Sequence, residues 1–415
     1  MASFDGLERM TALLEALGNP EKDLKALHVA GTNGKGSTSV MIASVLEEAG
    51  YRVGLYTSPH LEDECERVQL WDGEHRLIES GEFDRLRQRV RDASADVKKT
   101  LHREDDESFR ITLFEEYTAA AYLYFAEAKP DYAVLETGLG GRLDSTNTIE
   151  KPLVSVITQV GLDHTAELGN TIFRIAREKA GIIKEGVPVV SQTGDLNVKN
   201  ILRRTAAEKG CEFIDVSALA DSYRGLKLSM RGAHQILNAA TAAEAVKAAG
   251  IEVTEEAMTA GLEKAMLPGR FEVLGGGDGE PFFIVDGAHN PDAIQALTDT
   301  FNAFARSNKI RRTLVIFGCM KDKNSVRMVQ YLTGGLKGCA YAAAAVDYGR
   351  AESPERIAGL ISASGHGCFI CDDTADAYET AMGGNYQCIL VTGSIYLAGE
   401  MRALYVRNHA EKQAD

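Results

Sequence analysis

The chain has 415 residues, of which 45% are hydrophobic and 25% charged, the mix of a folded globular protein rather than a disordered or fibrous one. Its 60 acidic against 45 basic residues leave a net charge of −15, which argues against a general nucleic-acid binder or a protein held on an anionic membrane. No apolar run approaches the roughly 18–20 residues that span a bilayer. Seven cysteines without framework spacing suit a reducing compartment, so a cytoplasmic protein with neither nucleic-acid nor membrane partners is expected.

Residues 4–18 (FDGLERMTALLEALG) place Leu7, Met10, Leu13, Leu14 and Leu17 at helical spacing, and Gly18-Asn19-Pro20 ends the run. An apolar strand, Leu27 to Ala30, then enters a glycine turn that opens a helix over SVMIASVLEEAG. Gly31, Gly34 and Gly36 let successive N–H groups face one point, where the helix N-terminus adds partial positive charge. Lys35 supplies a full charge there and Ser37 a hydroxyl that reaches a magnesium ion. The stretch is a candidate phosphate cradle, although its lysine is followed by glycine and then serine, so the G-x-x-x-x-G-K-[ST] spacing is missed. The competing reading is a tight turn with no ligand.

A second strand within residues 51–61 ends on Thr57-Ser58-Pro59-His60, polar residues where open parallel sheets place ligands. ECERVQLWDG reads as a loop carrying Arg67, residues 82–107 as a solvated helix, and residues 108–128 as an amphipathic helix with core aromatics. Tyr132 to Leu135 delivers Glu136 to a strand tip, before a glycine turn with Arg142 and Asp144. A carboxylate there is either a magnesium anchor or an ordinary turn acid. Another strand, within residues 152–165, ends on Asp163-His164. The next helix carries Glu178 and Lys179 near its end and is stopped by Gly181 or Gly186.

VPVVSQ and CEFIDV add short strands, and residues 231–250 and 254–266 add helices. The LPGR stretch at 267–270 marks a boundary. Beyond it, strands at FFIVDGAH, RRTLVIFGC, CAYAAAAV, CFIC and CILVTGS alternate with helical patterns. Cys368 and Cys371 form a C-x-x-C in a buried-type strand without further ligands, which argues against zinc or redox chemistry. The expectation is an α/β protein: a P-loop-type, doubly wound, mostly parallel sheet domain in residues 1–267, then a smaller Rossmann-like α/β domain in residues 268–415.

The stretches AGTNGKGST, TSPHLEDECERV, LETGLGGRLDSTN, QVGLDHT, REKAGIIK, LPGRFE, VDGAHNP, FGCMKDK and VTGSIYLAGE follow one another between residues 30 and 400. Together they resemble the folylpolyglutamate synthases, the folate branch of the muramyl-peptide ligase superfamily. The lysine-glycine-serine turn is similar to the folate enzymes, and its early position differs from the cell-wall ligases, which carry a domain in front of it. The resemblance implies that ATP phosphorylates a pterin-linked carboxylate and that the amine of L-glutamate attacks the acyl phosphate. The acceptor would be tetrahydrofolate or its polyglutamates, with dihydropteroate as a further candidate, and the protein a monomer.

Carried over by position, Gly34, Lys35, Gly36 and Ser37 hold the phosphates, and Asn238, Arg270 and Asp286 contact the nucleotide. Ser58 and Glu136 resemble ligands of one Mg2+, and His164 helps hold a second. Lys179 looks like a carbamylated lysine that serves as a metal ligand, with Lys184 as a solvent-facing control. His289, Arg67 and Ser394 match positions near the incoming glutamate. Asp144 matches a pterin-side residue, and Arg142 joins it among the substrate-binding groups. Lys35, Lys179 and His289 form the expected catalytic set. Two rivals remain: a muramyl-peptide or cyanophycin-type ligase, and a nucleotide-dependent switch that hydrolyses ATP without ligation.

Overall fold

The structure, a computed structural model, describes residues 7–100, 110–277 and 279–414. It divides into two compact units: the chain up to Ser229 with Gln235–Met266, and Met230–His234 with the chain from Leu267 onward. Among the described residues no helix is long and apolar enough to cross a membrane.

The first unit contains β1 (Ala26–Ala30), β2 (Val53–Tyr56), β3 (Val68–Trp71), β4 (His75–Leu77), β5 (Tyr132–Glu136), β6 (Val154–Ile157), β7 (Val189–Ser191) and β8 (Phe213–Asp215). They form one sheet in the order β4-β3-β2-β5-β1-β6-β7-β8. The six strands from β2 to β8 in this order are parallel, while β3 and β4 run antiparallel at one edge. Every residue of β1 and β6 is buried, because helices cover a parallel sheet on both faces and leave no solvated side for polar alternation.

Its helices are α1 (Glu8–Ala16), α2 (Lys35–Glu48), α3 (Ser80–Thr100), α4 (Leu113–Ala128), α5 (Thr165–Leu168), α6 (Ile172–Ala180), α7 (Leu196–Glu208), α8 (His234–Ala248) and α9 (Glu255–Lys264). One core cluster joins Met10, Leu13 and Leu14 of α1 to Phe83, Leu86 and Val90 of α3 and to α4, over Ala133 and Leu135. A second packs Ile175, Ala176, Val198 and Leu202 of α6 and α7 on Ala30, Ile157 and Val189.

Several expectations are corrected here. The stretch expected as a loop around Arg67 is a 3-10 turn, Glu64–Arg67, followed by β3, because Val68, Leu70 and Trp71 find burial beside β2. The helix expected to be solvated buries Phe83, Leu86, Val90 and Val97, a stripe masked in sequence by the many charges between them. Residues 101–107 lie outside the described residues. The amphipathic helix starts at Leu113 and is buried on nearly all sides from Glu115 to Phe125.

The second unit contains β9 (Glu272–Gly275), β10 (Phe282–Val285), β11 (Thr313–Phe317), β12 (Cys339–Ala344), β13 (Cys368–Cys371) and β14 (Cys388–Thr392), in the order β13-β12-β11-β14-β10-β9. All pairs are parallel except β9 with β10. Its helices are α10 (Pro291–Ser307), α11 (Ser325–Gly335), α12 (Pro354–Ala363), α13 (Thr374–Gly383) and α14 (Ile395–Ala414). Strand β13, expected to be buried, is an edge strand with Phe369 and Ile370 half exposed. All seven cysteines are free.

Candidate active site

Polar groups gather where β1, β5 and β6 end, beside the point at which the chain leaves β1 and returns two strands away. After β1 the chain turns through Gly31–Gly34 and enters α2 at Lys35. Both ends of this turn require glycine. A Cβ on Gly31 would lie 1.8 Å from Thr158 Oγ1, and one on Gly34, where φ is +88°, would lie 2.5 Å from Asn238 Oδ1. Gly36, by contrast, is an ordinary residue of the first turn of α2, so only two of the three glycines shape the backbone. The turn is pinned to the end of β6: Thr32 N donates to Gln159 O at 2.7 Å, and Thr158 Oγ1 to Asn33 O at 2.9 Å.

Lys35, the first residue of α2, lies with its Nζ 3.4 Å from Thr32 O and 4.0 Å from Glu136 Oε1. Glu136 ends β5 and is buried, and its Oε2 accepts Ser58 N at 3.1 Å. Ser37 is buried in the first turn of α2. Lys179, 3% exposed at the end of α6, donates from Nζ to Gly31 O at 2.7 Å. Burial, reinforced by the nearby charge of Lys35, pushes its pKa down to about 7, against the pull of Asp163 and Asp144. Lys179 is therefore substantially a neutral amine near neutral pH. The helix ends at Gly181, the earlier of the two expected stops.

The structure thus brings Gly34, Lys35, Ser58, Glu136, Lys179 and Asn238 together. Asn238 is buried on α8 and donates to Gln235 Oε1 at 2.8 Å. His164 is exposed in the left-handed conformation, φ +48°, and its N–H meets Asp163 Oδ1 at 2.9 Å. Asp163, which sequence reasoning passed over for its neighbour, is buried and acts electrostatically on Lys179. The strand expected to end on Asp163-His164 stops at Ile157, and the pair lies in the connection that leads into α5. Among the described residues no three His, Cys, Asp or Glu side chains form a ready-made metal cage.

The glycine turn after β5 is fastened from within. Asp144 accepts Leu139 N at 2.8 Å, Thr146 N at 3.0 Å and the Thr146 hydroxyl at 2.6 Å, while burial pushes its pKa up. His28 Nε2 lies 2.8 Å from Thr146 Oγ1, and burial holds its pKa down at about 3, so the ring is neutral. Since the Thr146 hydroxyl donates to Asp144, Nε2 carries the proton. Arg142 is exposed and pairs with Glu178 at 2.9 Å. Lys184, expected to face solvent, is half-buried and donates to Asn147 O at 3.0 Å. The chain does not leave the core after Gly181, because Ile182 and Ile183 are buried and draw Lys184 in with them.

Arg67 closes the 3-10 turn Glu64–Arg67. Its Nε donates to His60 Nδ1 at 2.9 Å. Glu66, also missed, accepts the N–H groups of Leu61 at 2.7 Å and of Glu62 and Asp63 at 2.8 Å, fixing the connection from Ser58 to Arg67. Its capping box with Asp63 was legible in the Asp-x-x-Glu spacing.

In the second unit, Asp286 follows β10 and accepts Phe271 N at 2.8 Å and Ala288 N at 2.9 Å. Loss of hydration pushes its pKa up, opposed by Arg270, whose guanidinium packs against Gly287. His289 Nδ1 lies 2.8 Å from Gly287 O, which can only accept, so this nitrogen carries a proton. Ser394 follows β14 and its Oγ accepts Tyr396 N at 3.2 Å; the two segments meet where Gly393 N donates to Ala288 O at 3.0 Å.

Residues 269–395 match the Mur ligase, glutamate ligase domain family. The dihydrofolate synthase/folylpolyglutamate synthase of Bacillus subtilis is 36% identical over 423 residues, spanning 96% of this chain and 94% of that protein. The chain belongs to the folylpolyglutamate synthase family. The folylpolyglutamate synthase of Mycobacterium tuberculosis complexed with ADP and AMPPCP superposes with a TM-score of 0.84 at 27% identity, covering 96% of this chain and 95% of that one. The bifunctional folylpolyglutamate synthase/dihydrofolate synthase of Yersinia pestis, complexed with AMPPNP and a Mn ion, gives a TM-score of 0.80 at 30% identity over 96% and 93% of the two chains. Membership makes this chain an ATP-dependent ligase and disfavours both the muramyl-peptide or cyanophycin-type reading and the switch without ligation.

Proposed function

We propose that this enzyme adds L-glutamate to tetrahydrofolate and its polyglutamates in the cytoplasm, through an acyl phosphate made at the expense of ATP. The observation that carries the reading is the convergence of Lys35, Glu136 and Lys179 around Gly31. A substrate carboxylate approaching a triphosphate meets like charge, about 4 kcal/mol per unit pair at 4 Å and an effective dielectric of 20. Cations must converge to offset it, and in this reading Lys35, the first residue of α2, binds the terminal phosphates together with the N–H groups of Gly34, Gly36 and Ser37; the start of a helix there supports it. Asn238, beside Gly34, serves the base side of the nucleotide, and Arg270 and Asp286 belong to the same role in the second unit.

Ser58 and Glu136 fit Mg2+: a hydroxyl and a carboxylate are hard oxygen donors, and the Ser58 N–H on Glu136 Oε2 holds the two residues side by side. Bound there, the ion would neutralise phosphate charge. The finer proposal is a second ion held by His164 and a carbamylated Lys179. The neutral form of the Lys179 amine, accessible near pH 7, can add to carbon dioxide, forming an N–C bond and releasing a proton, which turns a cation into a carboxylate-like ligand. His289, with Nδ1 tied to Gly287, holds its ring for the incoming glutamate, and Ser394 and Arg67 supply further contacts to it. Asp144 and Arg142 take the folate side, Asp144 chiefly by shaping the turn.

Dihydropteroate is proposed as a second acceptor, because the Bacillus subtilis relative is named for both activities. The protein is taken to act as a monomer. Purified enzyme should release ADP only when ATP, L-glutamate and either a tetrahydrofolate or dihydropteroate are all present. ADP release independent of glutamate and folate would overturn the ligase reading, and release with a muramyl peptide alone would overturn the acceptor.

A further inference from the structure

Arg67 is held by more than His60. Its guanidinium lies over the ring of Tyr117, 5.0 Å from the ring centroid. Tyr117 sits on α4 with 4% exposure, and its own position is over-determined. Its hydroxyl donates to Glu64 Oε2, while Glu64 Oε1 accepts Arg87 Nη1 at 2.5 Å. Arg87 also lies 5.0 Å from the Tyr117 centroid and donates from Nε to Glu116 Oε1 at 2.7 Å. Arg87 is thus matched by Glu64 and Glu116, with Asp84 a third carboxylate at 3.6 Å. Arg67 is not: among the described residues no carboxylate pairs with it, and His60 is its side-chain acceptor through Nε alone.

A guanidinium held by Nε and by one face keeps both terminal amino groups for a ligand, and their fork matches a carboxylate. The backbone at Arg67 is equally fixed, since its carbonyl accepts Thr57 N at 3.0 Å, one residue before Ser58. A free arginine side chain loses considerable rotamer freedom when it binds. Stacked on Tyr117, it loses that freedom before the substrate arrives.

We propose that Tyr117 is a positioning residue that presents the Arg67 guanidinium to a carboxylate of the amino-acid or folate substrate. This rests on the reading of Arg67 as a substrate contact. Tyr117 touches no substrate itself; it acts through the arginine, so its loss should appear in KM rather than in kcat.

The test compares kcat and KM for L-glutamate, tetrahydrofolate and ATP in the wild type, Arg67→Lys, Tyr117→Phe and Tyr117→Leu, each checked for folding by its melting temperature. Phenylalanine keeps the ring and loses only the Glu64 bond, so Tyr117→Phe should stay within about twofold of wild type. Tyr117→Leu should raise one KM by roughly five- to twentyfold, the span of a partly desolvated cation–π contact, with kcat and the ATP KM nearly unchanged. The substrate affected should be the one that Arg67→Lys affects, and which it is distinguishes glutamate from folate. Should Tyr117→Leu fail to fold, phenylalanine and pentafluorophenylalanine introduced at position 117 share a shape but differ in the charge of the ring face. KM should then rise only with the fluorinated ring. Equal KM values for those two rings, or a folded Tyr117→Leu with unchanged KM beside a defective Arg67→Lys, overturns the proposal. An unchanged KM in Arg67→Lys overturns the assignment of Arg67 and the proposal with it, whereas a wild type that ligates nothing overturns the function instead.

Discussion

Around the ends of β1 and β5, two lysines lack a close carboxylate partner among the described residues: Lys35 lies 4.0 Å from Glu136, and buried Lys179 has a backbone carbonyl as its hydrogen-bond acceptor, with Asp163 and Asp144 acting on it electrostatically. After β10 and β14 of the second unit the polar groups are instead engaged by their own turns. Asp286 takes two backbone N–H groups, His289 a carbonyl and Ser394 a helix N–H. Unbalanced charge in a desolvated place costs stability and survives where chemistry uses it. Locally matched charge mainly holds a turn. Substitutions at the first edge should therefore cost activity, and substitutions at the second should cost stability at least as early as activity.

Lys35→Ala carries the largest expected effect. Removing a cation from developing phosphoryl charge should lower kcat by about a hundredfold or more, with the melting temperature nearly unchanged. Retention of more than about a tenth of wild-type kcat, ~1.4 kcal/mol of barrier, would place Lys35 with the structural charges. Glu136→Gln should likewise abolish ligation in a folded protein, whereas Asp286→Asn, which loses an acceptor for a backbone N–H, should first show a lowered melting temperature. The opposite order would break the comparison.

Lys179→Ala should lose ligation, and formate or acetate should restore part of it; carbon-13 bicarbonate should label Lys179 at neutral pH in the wild type. Full activity of Lys179→Ala would sink the carbamylation. Lys184→Ala should keep its turnover and lose only the hydrogen bond to Asn147, about 1 kcal/mol of stability.

The buried amine also predicts a pH dependence. Folding lowers the Lys179 pKa from ~10.4 to about 7, so between these values the unfolded chain binds the extra proton and the wild type gains stability as pH rises. Below pH 7 the burial penalty is fully present. In carbonate-free buffer, Lys179→Met should melt above the wild type by a margin that is widest below pH 7 and shrinks toward pH 10. A constant margin would mean that the amine is not the source. The smallest effect is expected at Ser394→Ala, which removes a helix-start acceptor worth about 1 kcal/mol or less and should leave KM for ATP unchanged.

Local pattern was enough for the alternating strands and helices, for the glycine turn before α2 and for Glu136 at the tip of β5, since each rests on side-chain periodicity or on residues adjacent in sequence. The resemblance of the ordered motifs added the candidate site residues. Sequence did not show that β3 joins the sheet, because its burial comes from β2, nor that α3 hides an apolar stripe beneath its charges. It left Glu136 open between metal anchor and turn acid. Tertiary structure sets Glu136 beside Ser58 and Lys35. Above all, a lysine in sequence is a cation on a flexible stem. Only the packing that buries Lys179 against Gly31, close to the charge of Lys35, makes its neutral form accessible near pH 7.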